Sequence, residues 1–203
     1  LYLTFETLCY KKVFYPFLFM TLLCMTPTSS EAMDYFLMYK LNFDSIQIGY
    51  LKIAGGFAFL LSLVFIYLSS RKNSFNMRRT FIIWTILAGL VPFLSLILIF
   101  GLNEKIHIPN FVFMLTDNIL FKVCADMILM CVLILTARLC PPKIEAVFTT
   151  VFTSFQNFGY FVSLQLSSFM TKKLGIICNE SSVDVNKVDC NFDNLWILII
   201  IVN

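Results

Sequence analysis

The stretch NFVFMLTDNILFKVCADMILMCVLILTA, residues 110–137, decides the fold. A helix rises 1.5 Å per residue, so about 20 mostly apolar residues cross the hydrocarbon of a bilayer. This run exceeds that length and carries only Asp117, Lys122 and Asp126 as charges. Four other windows are similar: 13–39, 45–69, 80–101 and 144–170. A sixth apolar run opens near Asn194 and stops at Asn203. None alternates with period two over about ten residues, as a membrane β-barrel strand would.

Composition agrees. Apolar residues make up 59% of the 203 residues, charged residues 13%, and the mean hydropathy is +0.84. Soluble domains carry about 25% charge. That excludes an ordinary soluble globule, a disordered tail and a basic nucleic-acid-binding domain. An all-α, polytopic membrane protein remains. The chain opens on Leu1 and ends inside an apolar run, so we expect a piece of a longer protein, about twice this size.

The connections differ in charge. Lys11, Lys12, Arg71, Lys72, Arg78, Arg79, Arg138 and Lys143 fall on one side; Lys40, Lys105, Lys172, Lys173 and Lys187 fall on the other. The positive-inside rule puts the first set in the cytoplasm. The loop 172–193 is then non-cytoplasmic. It holds Asn179-Glu180-Ser181, a glycosylation acceptor pattern, and Cys178 and Cys190, which either pair in an oxidising compartment or stay free. The other cysteines lack metal or redox spacing and read as small apolar filler.

Ionised groups at a helix centre cost about 2.5–3.5 kcal/mol each on the insertion scale. Glu31, Asp34, Lys122 and Asp126 all fall within spans. Together they cost on the order of 10 kcal/mol, so each must be paired, neutralised or wet. Asn118, Lys122 and Asp126 recur at i, i+4, i+8 and share one face within about 80°. They read either as a self-neutralising pair or as a cation for an anionic substrate beside a proton-binding carboxylate. Asp117 points about 140° away from Lys122.

In window 144–170, Glu145, Thr149, Thr153, Gln156, Tyr160, Ser163 and Ser167 form a polar stripe about 80° wide, with Asn157 beside it. Phe148, Val151, Phe155, Phe158, Val162 and Phe169 oppose it. The stripe reads as the lining of a wet cavity, or as hydroxyls joining helices. In window 13–39, Pro27 predicts a break and Thr28-x-x-Glu31 a capping box that restarts the helix. Glu31 is therefore a cap or a functional group, and broken helices border transporter sites. Ala54, Ala58 and Ser62, with Gly55 and Gly56, predict close packing, and Lys52 reads as snorkelling outward. Pro92 predicts a kink. No hydrolase or zinc-protease motif is present and His107 is the single histidine, so no enzyme, metal or cofactor is expected.

Two segments resemble the folate–biopterin transporter family. The first is Thr26-Pro27-Thr28-Ser29-Ser30-Glu31-Ala32-Met33-Asp34-Tyr35-Phe36, followed by Leu41-Asn42-Phe43-Asp44 and Ile48-Gly49-Tyr50-Leu51. The second is Leu139-Cys140-Pro141-Pro142-Lys143-Ile144-Glu145-Ala146-Val147-Phe148, followed by Ser154-Phe155-Gln156-Asn157-Phe158-Gly159. The chain departs from the family pattern at Lys143, where Gly is usual, and at Val147, where Thr is common. The resemblance implies a twelve-helix bundle of the major-facilitator type, with this chain supplying helices seven to eleven and the start of twelve. It implies uptake of folates, pterins or related metabolites coupled to protons, with the N-terminal half of the same chain as partner. Asp34, Glu145 and Asn157 match motif positions of the family. Asn118, Lys122, Asp126 and Gln156 are chosen by helix geometry, and Asp34 or Asp126 is expected to carry the proton. A non-transporting receptor or scaffold, and a carrier of another substrate such as S-adenosylmethionine, are the alternatives.

Overall fold

The computed structural model describes residues 11–71, 76–140, 145–176, 178–180 and 188–203. Nearly all of this is helix: α1 Lys11–Cys24, α2 Ser30–Tyr39, α3 Ser45–Arg71, α4 Met77–Leu90, α5 Ser95–Ile99, α6 Leu102–Lys105, α7 Asn110–Leu139, α8 Glu145–Lys173 and α9 Leu195–Val202. A 3-10 turn, Val91–Phe93, joins α4 to α5. Two short strands, β1 Cys178–Glu180 and β2 Val188–Cys190, pair antiparallel with Cys178 opposite Cys190. Cys190 is disulfide-bonded. The side chains of Cys178 and Asn179, and all of Ser181, lie outside the described parts.

Among the described residues three stretches are long and apolar enough to cross a membrane: Ser45–Ser69, Met77–Ile99 and Asn110–Arg138. The other expected spans differ for identifiable reasons. The run 13–39 is two helices, of 14 and 10 residues, interrupted after Cys24. Pro27 cannot continue a helix, and neither piece has the about 20 residues a crossing needs. α8 has the length, with 29 residues, but its hydroxyls and amides make it too polar to pass on hydropathy. α9 begins at Leu195 after the N-cap Asn194, whose Nδ2 donates to the Leu174 carbonyl at 2.8 Å. Pro92 sits in the 3-10 turn, where the regular i→i−4 ladder gives way, and α5 resumes at Ser95.

The chain divides into two compact units. Leu1–Thr28 with Val132–Phe169 form one. There α1 packs on α8 through Phe17, whose ring meets Phe148, Phe152 and Phe155 edge-on at 5.3, 5.1 and 5.9 Å. Further along, Gly159 lies against the backbone of α1: a Cβ there would sit 2.7 Å from Cys24 Cβ and 3.0 Å from the Thr21 carbonyl oxygen. Of the α3 face expected to pack closely, Ala58 and Ser62 are buried and Ala54 is half-buried, while a Cβ would meet ordinary spacing at Gly55 and open space at Gly56.

Ser29–Cys131 with Met170–Asn203 form the other unit. Its core joins Ala32, Met33, Phe36 and Leu37 of α2 to Phe43, Ile48 and Leu51, to Leu98 of α5, and to Ile176, Phe192, Leu195 and Leu198. Tight turns close its helical hairpins. Asn42 adopts φ 54° before α3; Gly101 and His107 adopt φ 64° and 60° between α5 and α7. Asn103, buried in that turn, donates to the Ile108 carbonyl and to Asn110 Oδ1.

Gly159→Ala is expected to destabilise the protein. Ala gains about 1 kcal/mol in helix propensity over Gly, but overpacking against backbone costs about 1–3 kcal/mol. A lower Tm of the purified full-length variant checks this; an unchanged or higher Tm contradicts the packing.

Candidate functional site

α3 buries one stripe, Leu51, Gly55, Ala58 and Ser62, at helical spacing. α7 lies against its first half. Asn118 Nδ2 donates to the Leu51 carbonyl at 3.1 Å, and one turn on, Lys122 Cγ stands 3.8 Å from where a Gly55 Cβ would be. The two contacts advance in the same sense, so α3 and α7 run parallel here.

Two ion pairs flank this seam. Lys122 Nζ lies 3.1 Å from Asp126 Oδ1, one turn along α7. The Lys122 side chain is 45% exposed and that of Asp126 only 3%. The cation thus reaches outward while its carboxylate stays behind it, and Asp126 Oδ2 has no hydrogen-bond partner among the described residues. On α3, Lys52 Nζ bonds Asp34 Oδ2 of α2 at 2.8 Å. Lys52 precedes Gly55 by about one turn, so it stands near the residue that the Lys122 stem crosses. Lys52 does not simply reach toward headgroups; it is the partner of Asp34, which spacing within one helix could not supply.

A third carboxylate is treated differently. Asp117 of α7 is buried and accepts from Ser95 Oγ of α5 at 2.5 Å, while its Oδ1 has no partner among the described residues.

The polar stripe of α8, in the first unit, divides along its length. Ser163 and Ser167 are buried. Ser163 Oγ donates to the Thr26 carbonyl at 2.6 Å, and Ser167 Oγ accepts from the Thr28 amide at 2.8 Å. These two serines bind the backbone freed where α1 ends. Thr28 therefore does not cap α2: Ser29 is its N-cap and makes no side-chain capping bond. Glu31 sits exposed in the first turn of α2, where a negative charge suits the helix dipole. Nearer the start of α8, Glu145, Thr149, Thr153 and Tyr160 are exposed, and both threonine hydroxyls donate to carbonyls one turn back on their own helix. Gln156 is half-buried and Asn157 exposed. The opposing aromatic arc also divides: Phe148 is buried in the core of that unit, whereas Phe155, Phe158 and Phe169 are exposed.

Asp34, Asn118, Lys122 and Asp126 thus belong to one unit, while Glu145, Gln156 and Asn157 belong to the other. Among the described residues no group of His, Cys, Asp and Glu could hold a metal ion.

The family model described as the BT1 family matches residues 3–203. The folate-biopterin transporter of Synechocystis is 30% identical over 95% of this chain and 36% of its own length. Folate transporter 2 of Plasmodium falciparum is 31% identical over 91% of this chain and 38% of its own. A probable folate-biopterin transporter 2 of Arabidopsis thaliana is 29% identical over 79% and 30%. The chain spans about a third of the length of these relatives. No solved structure matches. With three apolar helices long enough to span a bilayer, and a family match over nearly its whole length, this is an integral multi-pass membrane protein that belongs to the BT1 family.

Proposed function

We propose that the chain forms part of a secondary transporter for folates, pterins or related anions, and that Lys122 and Lys52 hold the substrate carboxylates. The observation that carries this reading is the pair of lysine–aspartate bridges beside the α3–α7 seam. A folate ends in a glutamate with two carboxylates, and one lysine on each of α3 and α7 suits that charge. The names of the relatives support the substrate class. Asn118 steadies the seam, and Glu145, Gln156 and Asn157 are further candidate contacts along the pathway. In this reading the chain supplies five spans, the first of them broken after Cys24, and the start of a sixth in a major-facilitator-type bundle. The N-terminal half of the same chain completes the pathway. The loop 172–193 is non-cytoplasmic, with Cys178 bonded to Cys190 and Asn179 open to glycosylation.

Charge balance gives the coupling. When a substrate carboxylate takes Lys122, Asp126 loses its cation at a site that is 3% exposed. A buried carboxylate without a partner is costly, so a proton bound with the anion restores neutrality. Asp34 does the same beside Lys52, less strictly, because its side chain is 35% exposed. Substrate and proton then cross together by rocking of the two halves.

In the full-length protein, Lys122→Ala is expected to abolish labelled folate uptake while surface delivery persists. A lost charge-assisted bond costs about 1.5–3 kcal/mol, or about ten- to 150-fold. Normal uptake by that variant rejects the role, and specific folate binding without accumulation by the unsubstituted protein favours a receptor. Uptake is also expected to rise as the pH on the loading side falls. A flat profile in the unsubstituted protein removes the proton from the mechanism.

A further inference from the structure

Asp34 and Asp126 each hold a lysine, but Asp117 holds none. It is 6% exposed inside the span Asn110–Arg138, and among the described residues Ser95, 8% exposed, is its one hydrogen-bond partner. Its second oxygen, Oδ1, is buried with no partner. Among the described residues no cation pairs with it, and Glu104 and Lys105 of α6, which packs on α5, follow the end of α5 that lies away from Ser95. The 3-10 turn Val91–Phe93, α5 and α9, which pack on one another, contain no ionisable side chain. On α7 itself, Lys122 and Asp126 pair with each other and point about 140° and about 180° away. Lys52 is engaged by Asp34, and Glu31 is exposed on α2.

We propose that Asp117 and Ser95 form a proton-binding site, separate from the lysine-paired carboxylates, whose occupancy latches α5 to α7. With the proton bound, the carboxyl is neutral and hydrogen-bonds Ser95 without needing a cation. With the proton released, one negative charge remains in an apolar seam, and water must enter to solvate it. The seam is built to yield at this place. Ser95 is the first residue of α5, directly after the turn at Pro92 where the helical ladder is already interrupted. Loss of the proton therefore parts α5 from α7 at that break. This inference needs the membrane setting of the proposed function but not its substrate.

The test uses full-length protein in ester-free detergent and no substrate. The infrared carbonyl band of a protonated carboxylic acid is expected at neutral pH, to vanish in Asp117→Asn, and to move to higher frequency in Ser95→Ala as its hydrogen bond is lost. In a second arm, Leu98→Cys reports the seam, because Leu98 lies one turn beyond Ser95 and is 2% exposed. Maleimide labelling at position 98, read by peptide mass, is expected to be severalfold faster at alkaline pH with Asp117 present than with Asp117→Asn. In mildly acidic buffer the two rates should match. A spectrum unchanged by Asp117→Asn, or equal labelling at every pH, overturns the proposal. Absence of folate transport affects neither arm, so it counts against the substrate reading alone.

Discussion

Hydrocarbon offers no hydrogen bonds, so every polar group within a span must find its partner in the chain itself. That constraint explains the arrangement of this protein better than any single apolar contact. Ionised side chains meet it in pairs. Lys122 finds Asp126 one turn along the same helix, and Asp34 finds Lys52 across a hairpin. Threonines meet it by bonding carbonyls one turn back, as Thr21, Thr136 and Thr153 do. Where a helix stops, the freed backbone groups need donors and acceptors from elsewhere. Ser163 and Ser167 supply them to Thr26 and Thr28.

The break after α1 and the polarity of α8 are thus two sides of one solution. Pro27 stops α1 and leaves a carbonyl and an amide without helical partners. A helix presenting small hydroxyls at close range satisfies both, and Gly159 lets α8 come that near. The phenylalanine cluster around Phe17 fixes the other end of the contact. The serines of α8, which hydropathy counts as a penalty, are here what makes the interruption of α1 tolerable.

Much of this was legible in the residues, and the failures have physical causes. The spans 45–69 and 110–137 could be read to within a few residues, because length and apolar content suffice there. The Lys122–Asp126 pair followed from i, i+4 spacing. Asp34–Lys52 did not, although a signal existed: the two are equidistant from Phe43, at the turn between α2 and α3, as partners across a helical hairpin are. Ser95 and Asp117 are equally spaced about Ile106 in the next turn. The α8 stripe divides in a way its sequence does not show, because a helical projection records angle and discards height. Ser163 and Ser167 share an arc with Glu145 and Thr149, yet the first two are buried against α1 and the last two are exposed. Contacts 137 and 139 residues apart leave no local pattern to read.

The three intrahelical aspartates show why burial alone does not define a site. Asp126 and Asp117 are almost equally hidden, but the first has a cation whose other end is reachable and the second has only a hydroxyl. A carboxylate behind an accessible lysine answers to whatever anion competes for that lysine. One against a serine in an apolar seam answers to proton concentration and to the geometry of the seam. Asp34, partly exposed beside Lys52, is the least costly to leave unpaired. The same functional group therefore takes three roles set by its nearest partner, and in an apolar medium partner identity outweighs depth because solvation by water is not there to equalise them.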